Sequence, residues 1–482
     1  MQEVDRYVEE VIQRGDEGSA LLAAICAPTL TNCEYVNVLR EGMNGLAVLR
    51  LPDGYNAAVF SAHGDSRATD PEEHAASMVR NISAFAREEG INVVGFADMI
   101  DANRVEKDQG LVRKLGNAMA TEANKHGYAI MNGELALLGD RVNCGANVSG
   151  TAVGLVRAGP GLYAVDDRWV CVFDPEGDDI YVNSDGQGTK AEFHERRREH
   201  WLALQDSLVM KADDTAKIGA RIRAMFDVVE RSGRVDEEMF ERYADELSRK
   251  YGFAYVAEQH DVGSRLRGWT PGETAINVGG SAVSTIDGKR LASLPAPRAG
   301  NYLVAARGRP TPRSNGITDQ RAAMISMLGE RWHETPEGKY FLEFLSEPST
   351  CFYPAFMELL GSGVATAVFH NSGGAFDGKL AKPLAKHGLY ALIEGLFEPD
   401  SRALRIAEFM GTPPEKCYAK WPMGTEAFVT TNEPQKAIRV FAKYGLEAKV
   451  AGMVEHAYAG RTGVELADVR ASSGGNVYFP GK

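Results

Sequence analysis

No run of about 18 consecutive apolar residues occurs in the 482-residue sequence, so no helical membrane span is expected. The N-terminus, Met1-Gln-Glu-Val-Asp-Arg6, lacks the basic flank of a secretion signal. These two absences predict a soluble, cytoplasmic protein without a membrane partner. The six cysteines, at 26, 33, 144, 171, 351 and 417, show no C-x-x-C spacing, which argues against a zinc knuckle or a disulfide framework and for buried thiols. Cations are in deficit: 53 Lys and Arg against 66 Asp and Glu leave a net charge of −13. A phosphodiester backbone needs clustered cations, so nucleic acid is excluded as the main partner. Also missing are a G-x-G-x-x-G opening a helix in a βαβ unit and a G-x-S-x-G elbow. The stretch Gly373 to Lys379 imitates a Walker A loop but continues into Leu380, so the hydroxyl that should meet magnesium is absent.

What the chain does contain is a phrase written twice. Lys125-His-Gly-Tyr-Ala-Ile-Met-Asn-Gly-Glu134 and Asn147-Val-Ser-Gly-Thr-Ala-Val153 return as Lys250-Tyr-Gly-Phe-Ala-Tyr-Val-Ala-Glu258 and Asn277-Val-Gly-Gly-Ser-Ala-Val283. The offset stays near 125 from Gly127/Gly252 and reaches 130 at Gly150/Gly280, so helix end, strand, loop and next strand keep register. This predicts a duplicated domain. In the first copy, strands are expected at 56–62, 91–97, 128–132 and 148–156, with helices at 71–89 and 105–126. The second copy repeats the order with strands at 179–183, 253–257 and 276–286, a helix from the 190s to about 210, a segment around 214–230 and a helix at 236–251. After Pro295-Ala-Pro-Arg-Ala-Gly300, strands at 302–306, 365–370 and 426–431 alternate with helices at 318–329, 379–386 and 434–444, an α/β layered pattern. Three domains follow, at 1–160, 165–295 and 300–482.

The clearest chemical signal is Asn183-Ser-Asp-Gly-Gln-Gly-Thr-Lys190, between a predicted strand and helix. Gly186 and Gly188 let backbone amides turn towards an anion, Thr189 continues that cradle, Lys190 adds a cation, and Asp185 is placed to hold a phosphate-bound magnesium. The first copy has Ser61-Ala-His-Gly-Asp65-Ser66 there and keeps the acid without Gly-Thr-Lys. Further acids follow in both copies: Asp98 and Asp214, 116 apart, then Glu134 and Glu258, 124 apart. Asp65, Asp98, Asp185 and Asp214, read as loop positions in register, form the expected Mg2+ set. In the third domain Arg313-Ser314-Asn315-Gly316 precedes a helix, and His370-Asn-Ser372-Gly373-Gly374 follows a strand. Both are donor-rich loops suited to a phosphate or ribose, and His370 is a candidate acid or base beside Asp185 and Lys190.

In this order the motifs resemble the aminoimidazole ribonucleotide synthetase family, the phosphoribosylformylglycinamidine cyclo-ligases. The likeness spans about 178–470 and includes Ser184 to Lys190, Asp213-Asp214, Arg313 to Gly316, Ser346-Glu-Pro-Ser-Thr350, His370 to Gly374 and Cys417 to Gly424. It implies an N-terminal-type ATP-binding α/β domain and a C-terminal-type α/β domain, ATP held without a P-loop, and dimers whose N-terminal sheets join into a barrel. The first 160 residues would then act as a degenerate second subunit, an intrachain pseudo-dimer with one composite ATP site, built from the 183–190 loop and Asn132-Gly-Glu134; a further homodimer stays open. Either Glu258 or Glu273, in Gly272-Glu-Thr-Ala275, is the counterpart of Glu134. Arg313 stands where many members have histidine, and Trp421-Pro422 replaces Phe-Asn. The implied reaction is ATP-dependent cyclisation of formylglycinamidine ribonucleotide, a phosphoribosyl substrate. Another ATP-dependent kinase or amide-activating enzyme of the superfamily, or a non-catalytic nucleotide-binding relative, is the alternative.

Overall fold

The computed structural model describes residues 2–40, 46–104, 109–165, 168–268, 274–457 and 460–481. Glu273 lies outside them. The chain divides into two compact units, Met1–Lys211 with Ala220–Leu291, and Ala212–Gly219 with Ala292–Lys482. In the first unit the order is α1 (Gln2–Thr31), β1 (Val36–Arg40), β2 (Leu46–Leu49), β3 (Asn56–His63), α2 (Pro71–Glu88), β4 (Asn92–Ala102), α3 (Gly110–His126), β5 (Ala129–Leu137) and β6 (Ala146–Val156). A hairpin follows, β7 (Gly161–Val165) and β8 (Arg168–Phe173). Then come β9 (Asp179–Gly186), α4 (Ala191–Arg197), α5 (Ala203–Lys217), β10 (Arg221–Ser232), α6 (Glu237–Tyr251), β11 (Ala254–Asp261) and β12 (Ala275–Ile286).

Local chemistry explains the repeated phrase. Asp70 caps α2 by accepting from the Glu72 amide, Pro71 opens the helix, and Glu72 and Glu73 face its positive end. Asp236 does the same for α6 through the Met239 amide. Both α3 and α6 end on a left-handed glycine, Gly127 at φ 72° and Gly252 at φ 75°. That conformation costs a side-chain-bearing residue energy and glycine very little. The chain then turns straight into β5 or β11, each lying parallel to the strand before it.

The two sheets have one connectivity. One runs β5-β4-β6-β3-β8-β7 and the other β11-β10-β12-β9-β2-β1. Their edge hairpins are exchanged relative to chain order: β1–β2 precedes β3 yet pairs with β9, while β7–β8 precedes β9 yet pairs with β3. Residues 168–173, expected in the second domain, therefore pair with the first sheet. Among the described residues no ladder joins the sheets into the expected barrel; they share a core instead. Val59, Val94, Met131 and Leu155 of one meet Ile180, Val182, Phe226 and Val283 of the other, each such burial contributing about 1.5–3 kcal/mol.

Contacts across this seam are reciprocal. The Arg267 amide donates to the Arg141 carbonyl and the Asn143 amide to the Arg265 carbonyl, both at 2.8 Å. Asn277 Nδ2 donates to Asp101 at 2.6 Å and Asn147 Nδ2 to Glu230 at 3.1 Å. Each repeated asparagine thus satisfies an acid on the other sheet, Asp101 of β4 or Glu230 of β10. Burial and the neighbouring Glu230 charge raise Asp101 to about 8.

In the second unit the sheet runs Ala365–His370, Ala427–Thr431, Tyr302–Arg307, Glu447–His456, Leu389–Ile393, Gly463–Arg470 and Asn476–Phe479. Among its helices are Ile317–Leu328, Pro336–Leu345, Tyr353–Gly361, Ser401–Met410 and Pro434–Lys443. Residues 212–219, expected within the second domain, pack with this unit, because Asp213 and Asp214 at the end of α5 are bonded there.

Candidate functional site

A buried polar cluster lies in the second unit. Asp213 accepts from Arg313 Nη2 at 2.7 Å and from the Phe352 amide at 2.8 Å. The Arg313 guanidinium also reaches Glu426 Oε2 at 3.3 Å, and Glu426 accepts from the Gly308 amide at 3.0 Å. His370 sits at the end of its strand with Nε2 2.8 Å from Asp214 Oδ1 and Nδ1 3.4 Å from Arg313 Nη2. Lys217 bonds Asp214 one helical turn on, and Lys379 Nζ lies 3.9 Å from its other oxygen. Arg313 and Ser314 are both held at positive φ, 52° and 58°, a strained turn of the kind that persists where surrounding structure enforces it. Asn315 Nδ2 reaches the Asn371 carbonyl at 3.4 Å and ties the two donor-rich loops together.

The electrostatics follow from burial against partners. Burial and Lys217 push His370 well below its ordinary value, so the imidazole is neutral. Arg313 can only donate to Nδ1, which leaves Nε2–H to donate to Asp214. Burial opposes ionisation of Asp214, but Lys217, Lys379 and His370 overcome it and hold the carboxyl well below its usual range. Burial lowers Lys217 to about 8, with Asp214 opposing. Burial raises Asp213 to about 6 and Glu426 to about 7, in each case against the pull of Arg313. A neutral imidazole fixed between a carboxylate and a guanidinium orders this cluster, and the two lysines beside it can hold an anion.

Of the residues singled out from sequence, this unit brings together Asp214, Ser314, Asn315, Gly316, His370, Ser372, Gly373 and Gly374. Ser372 is buried, with Oγ 3.4 Å from His370 Nε2, and Gly373 and Gly374 are exposed beside it. Lys217, Lys379 and Glu426 were missed. The i, i+3 spacing of Asp214 and Lys217 was a readable signal for one of them; Lys379 lies in the helical turn Phe376–Ala381 and Glu426 directly before the strand Ala427–Thr431.

In the first unit the 183–190 loop lies against the other copy. Asn132 Nδ2 reaches the Val182 carbonyl at 3.4 Å and Asn183 Oδ1 at 3.5 Å. A side chain on Gly186 would press on Met99 Cε at 3.0 Å. Asp185 is half-buried and accepts from the Gly186 amide at 2.7 Å. Gly188 at φ 60° and Thr189 open a short turn ahead of α4. Glu134 pairs in register with Met99 and Glu258 with Val228, so Glu258 holds the position equivalent to Glu134.

Three expectations are corrected here. Lys190 is fully buried and bonded to Asp206 at 2.8 Å, with His194 on that acid's other oxygen; it braces α4 against α5 instead of pointing at a phosphate. Asp214 lies in α5, outside any loop, and Asp98 lies in β4. Both Asp98 and Asp227 pair with a repeated glycine, Gly150 and Gly280, so Asp227 is the counterpart of Asp98. Finally, the expected magnesium ligands do not gather: Asp65 pairs with Arg67 at 3.1 Å, Asp98 is buried in β4, Asp185 accepts from the Gly186 amide, and Asp214 serves His370. Among the described residues no three His, Cys, Asp or Glu side chains gather as a metal site. The residues present do not fit the expected set.

The six cysteines are all free thiols, and among the described residues no helix is long and apolar enough to cross a membrane. Fold and sites together define a mixed α/β protein. It is similar to the aminoimidazole ribonucleotide synthetases, or phosphoribosylformylglycinamidine cyclo-ligases. Against the cyclo-ligase of Thermococcus kodakarensis it is 24% identical over 273 residues, 55% of this chain and 76% of that protein. The Thermococcus gammatolerans cyclo-ligase gives 24% over 274 residues, with the same coverage. Among solved structures, T. maritima PurL complexed with FGAR aligns at TM-score 0.39 and 14% identity, covering 64% of this chain and 45% of that one. The chain thus spans less than half of that structure's length. No family model matches.

Proposed function

We propose that the protein closes the imidazole ring of formylglycinamidine ribonucleotide at the expense of ATP, with the two copies of the first unit acting as an intrachain pseudo-dimer. The carrying observation is the second-unit cluster, where a neutral, carboxylate-fixed His370 stands with Lys217 and Lys379 between two donor-rich loops. The curated relatives' names supply the reaction. The γ-phosphoryl of ATP passes to the formyl oxygen, giving ADP and an activated carbon. The amidine nitrogen then attacks that carbon, and the C–O bond breaks to release inorganic phosphate. The proton the attacking nitrogen sheds leaves with the phosphate, while His370, with Nε2–H on Asp214 and Nδ1 accepting from Arg313, fixes the cluster in which Lys217, Lys379, Ser314 and Ser372 hold anionic oxygens. Catalysis here is positioning and charge neutralisation. The ATP phosphates are assigned to the Asp185–Thr189 turn with Asn132 and Glu134 across the seam. Matching strand orders, exchanged hairpins and reciprocal seam contacts support the pseudo-dimer. No step is routed through a metal. Phosphate release is measured with ATP and formylglycinamidine ribonucleotide together and with each omitted: turnover dependent on both is expected, and ATP hydrolysis indifferent to the ribonucleotide refutes the proposal.

A further inference from the structure

A cavity of about 270 Å³ in the second unit is lined by Glu426, which also bonds Arg313 of the His370 cluster. Its walls are mostly apolar and stiff: Pro310, Pro399, Phe344, Trp421 and Met423. Proline fixes its own backbone torsion, so such a wall is formed before a ligand arrives. Met423 is held at φ 45°, a position a bulky residue occupies only under constraint. Gln320, which lines the cavity and is 1% exposed, has an Oε1 with no hydrogen-bond partner among the described residues. Buried polar groups are nearly always satisfied, and an orphan acceptor lining a cavity asks for a donor from a ligand. The charged groups of the wall are mostly engaged: Glu426 with Arg313, Asp400 with Arg402 at 2.8 Å, Arg307 with Glu447 at 2.8 Å. Glu398 stands exposed at the rim and can accept a further N–H.

We propose that this cavity binds a small, planar, uncharged nitrogen heterocycle, whose ring packs between Phe344 and Trp421 and whose N–H donates to Gln320 Oε1. A charged ligand would find little unpaired countercharge, and a purely apolar one would leave Gln320 unsatisfied. Because Glu426 lines the cavity and also holds Arg313, an occupant would be felt at the strained 313–314 turn and so at the anion-holding cluster.

The test uses the full chain labelled with 5-fluorotryptophan and needs no turnover, so its failure is distinct from failure of the ligase proposal. Trp421→Phe identifies the Trp421 fluorine signal among those of the five tryptophans. Adenine is titrated, with toluene as the apolar control. A saturable shift of that signal with adenine and not with toluene is expected, weakened roughly five- to tenfold by Gln320→Met. The absence of a saturable shift up to the solubility limit of adenine in the unsubstituted protein overturns the proposal. So does an unchanged affinity in Gln320→Met, which would mean adenine acts on Trp421 from another site.

Discussion

Replacing Asp98 by Asn separates the two sheets energetically, because the equivalent carboxylates live in opposite surroundings. Asp98 is 1% exposed, neither oxygen has a partner among the described residues, and burial raises its carboxyl from 3.8 to about 7. Asp227 is equally buried but accepts from Lys211 at 2.6 Å and from the Tyr255 hydroxyl at 2.5 Å, and Lys211 comes from α5, which leads into β10 as α2 leads into β4, whereas α2 carries no lysine. A carboxyl with a raised folded pKa stabilises fully below its unfolded pKa and loses that stabilisation as pH climbs through the folded one. The loss therefore falls between about pH 4 and pH 7, and at 1.36 kcal/mol per pH unit it reaches on the order of 4 kcal/mol. Asn removes this penalty but still buries an amide, at about 1–3 kcal/mol. The expected net gain is about 1–3 kcal/mol at pH 8, with little gain or a loss at pH 4. Asp227→Asn should instead cost about 3–5 kcal/mol by stranding Lys211. Calorimetric melting at pH 4.5 and pH 8, where about 1 kcal/mol moves the first unit's transition by roughly 2–4 °C, reads both. Parallel pH profiles for the original protein and Asp98→Asn, or stabilisation by Asp227→Asn, would refute the reasoning and the equivalence behind it.

Other consequences can be measured directly. His370→Asn should lower kcat for ribonucleotide-dependent phosphate release by roughly 10²-fold through lost positioning of Asp214 and Arg313, and Asp214→Asn should lower it less in the same assay. Lys217 titrates at about 8 and loses its charge above that pH, so KM for an anionic substrate should rise between pH 7.5 and 9; Lys217→Met should flatten the profile. Asp206→Asn leaves Lys190 buried with its ion pair broken and should cost about 3–5 kcal/mol in denaturant melts, a loss too large for a lysine that points at a solvent-exposed phosphate.

Much of the local architecture is legible in the chain itself. Asp70 and Asp236 as caps, Gly127 and Gly252 as left-handed helix ends, and the return of Asn147 as Asn277 each depend on neighbours a few residues away, so the repeated order of strand and helix follows from reading along the sequence. The donor-rich loops at 313–316 and 370–374 were visible for the same reason: small residues between a strand and a helix leave amides and hydroxyls to offer. What needed the fold is everything set by pairing at long range. Asp98 finds its counterpart in Asp227 through the β4–β6 and β10–β12 registers, because Asp214 lies in the helix that precedes β10. Lys190 disappears into the interior because α5 presents Asp206 to it, and no spacing rule in the 183–190 motif records that helix. Residues 212–219 leave the sheet they precede because Arg313 and His370, a hundred or more residues downstream, supply the partners for Asp213 and Asp214. The hairpin exchange is of the same kind: backbone amides of β2 and β8 pair across the seam with whichever edge the core brings near, and chain order carries no mark of which edge that is.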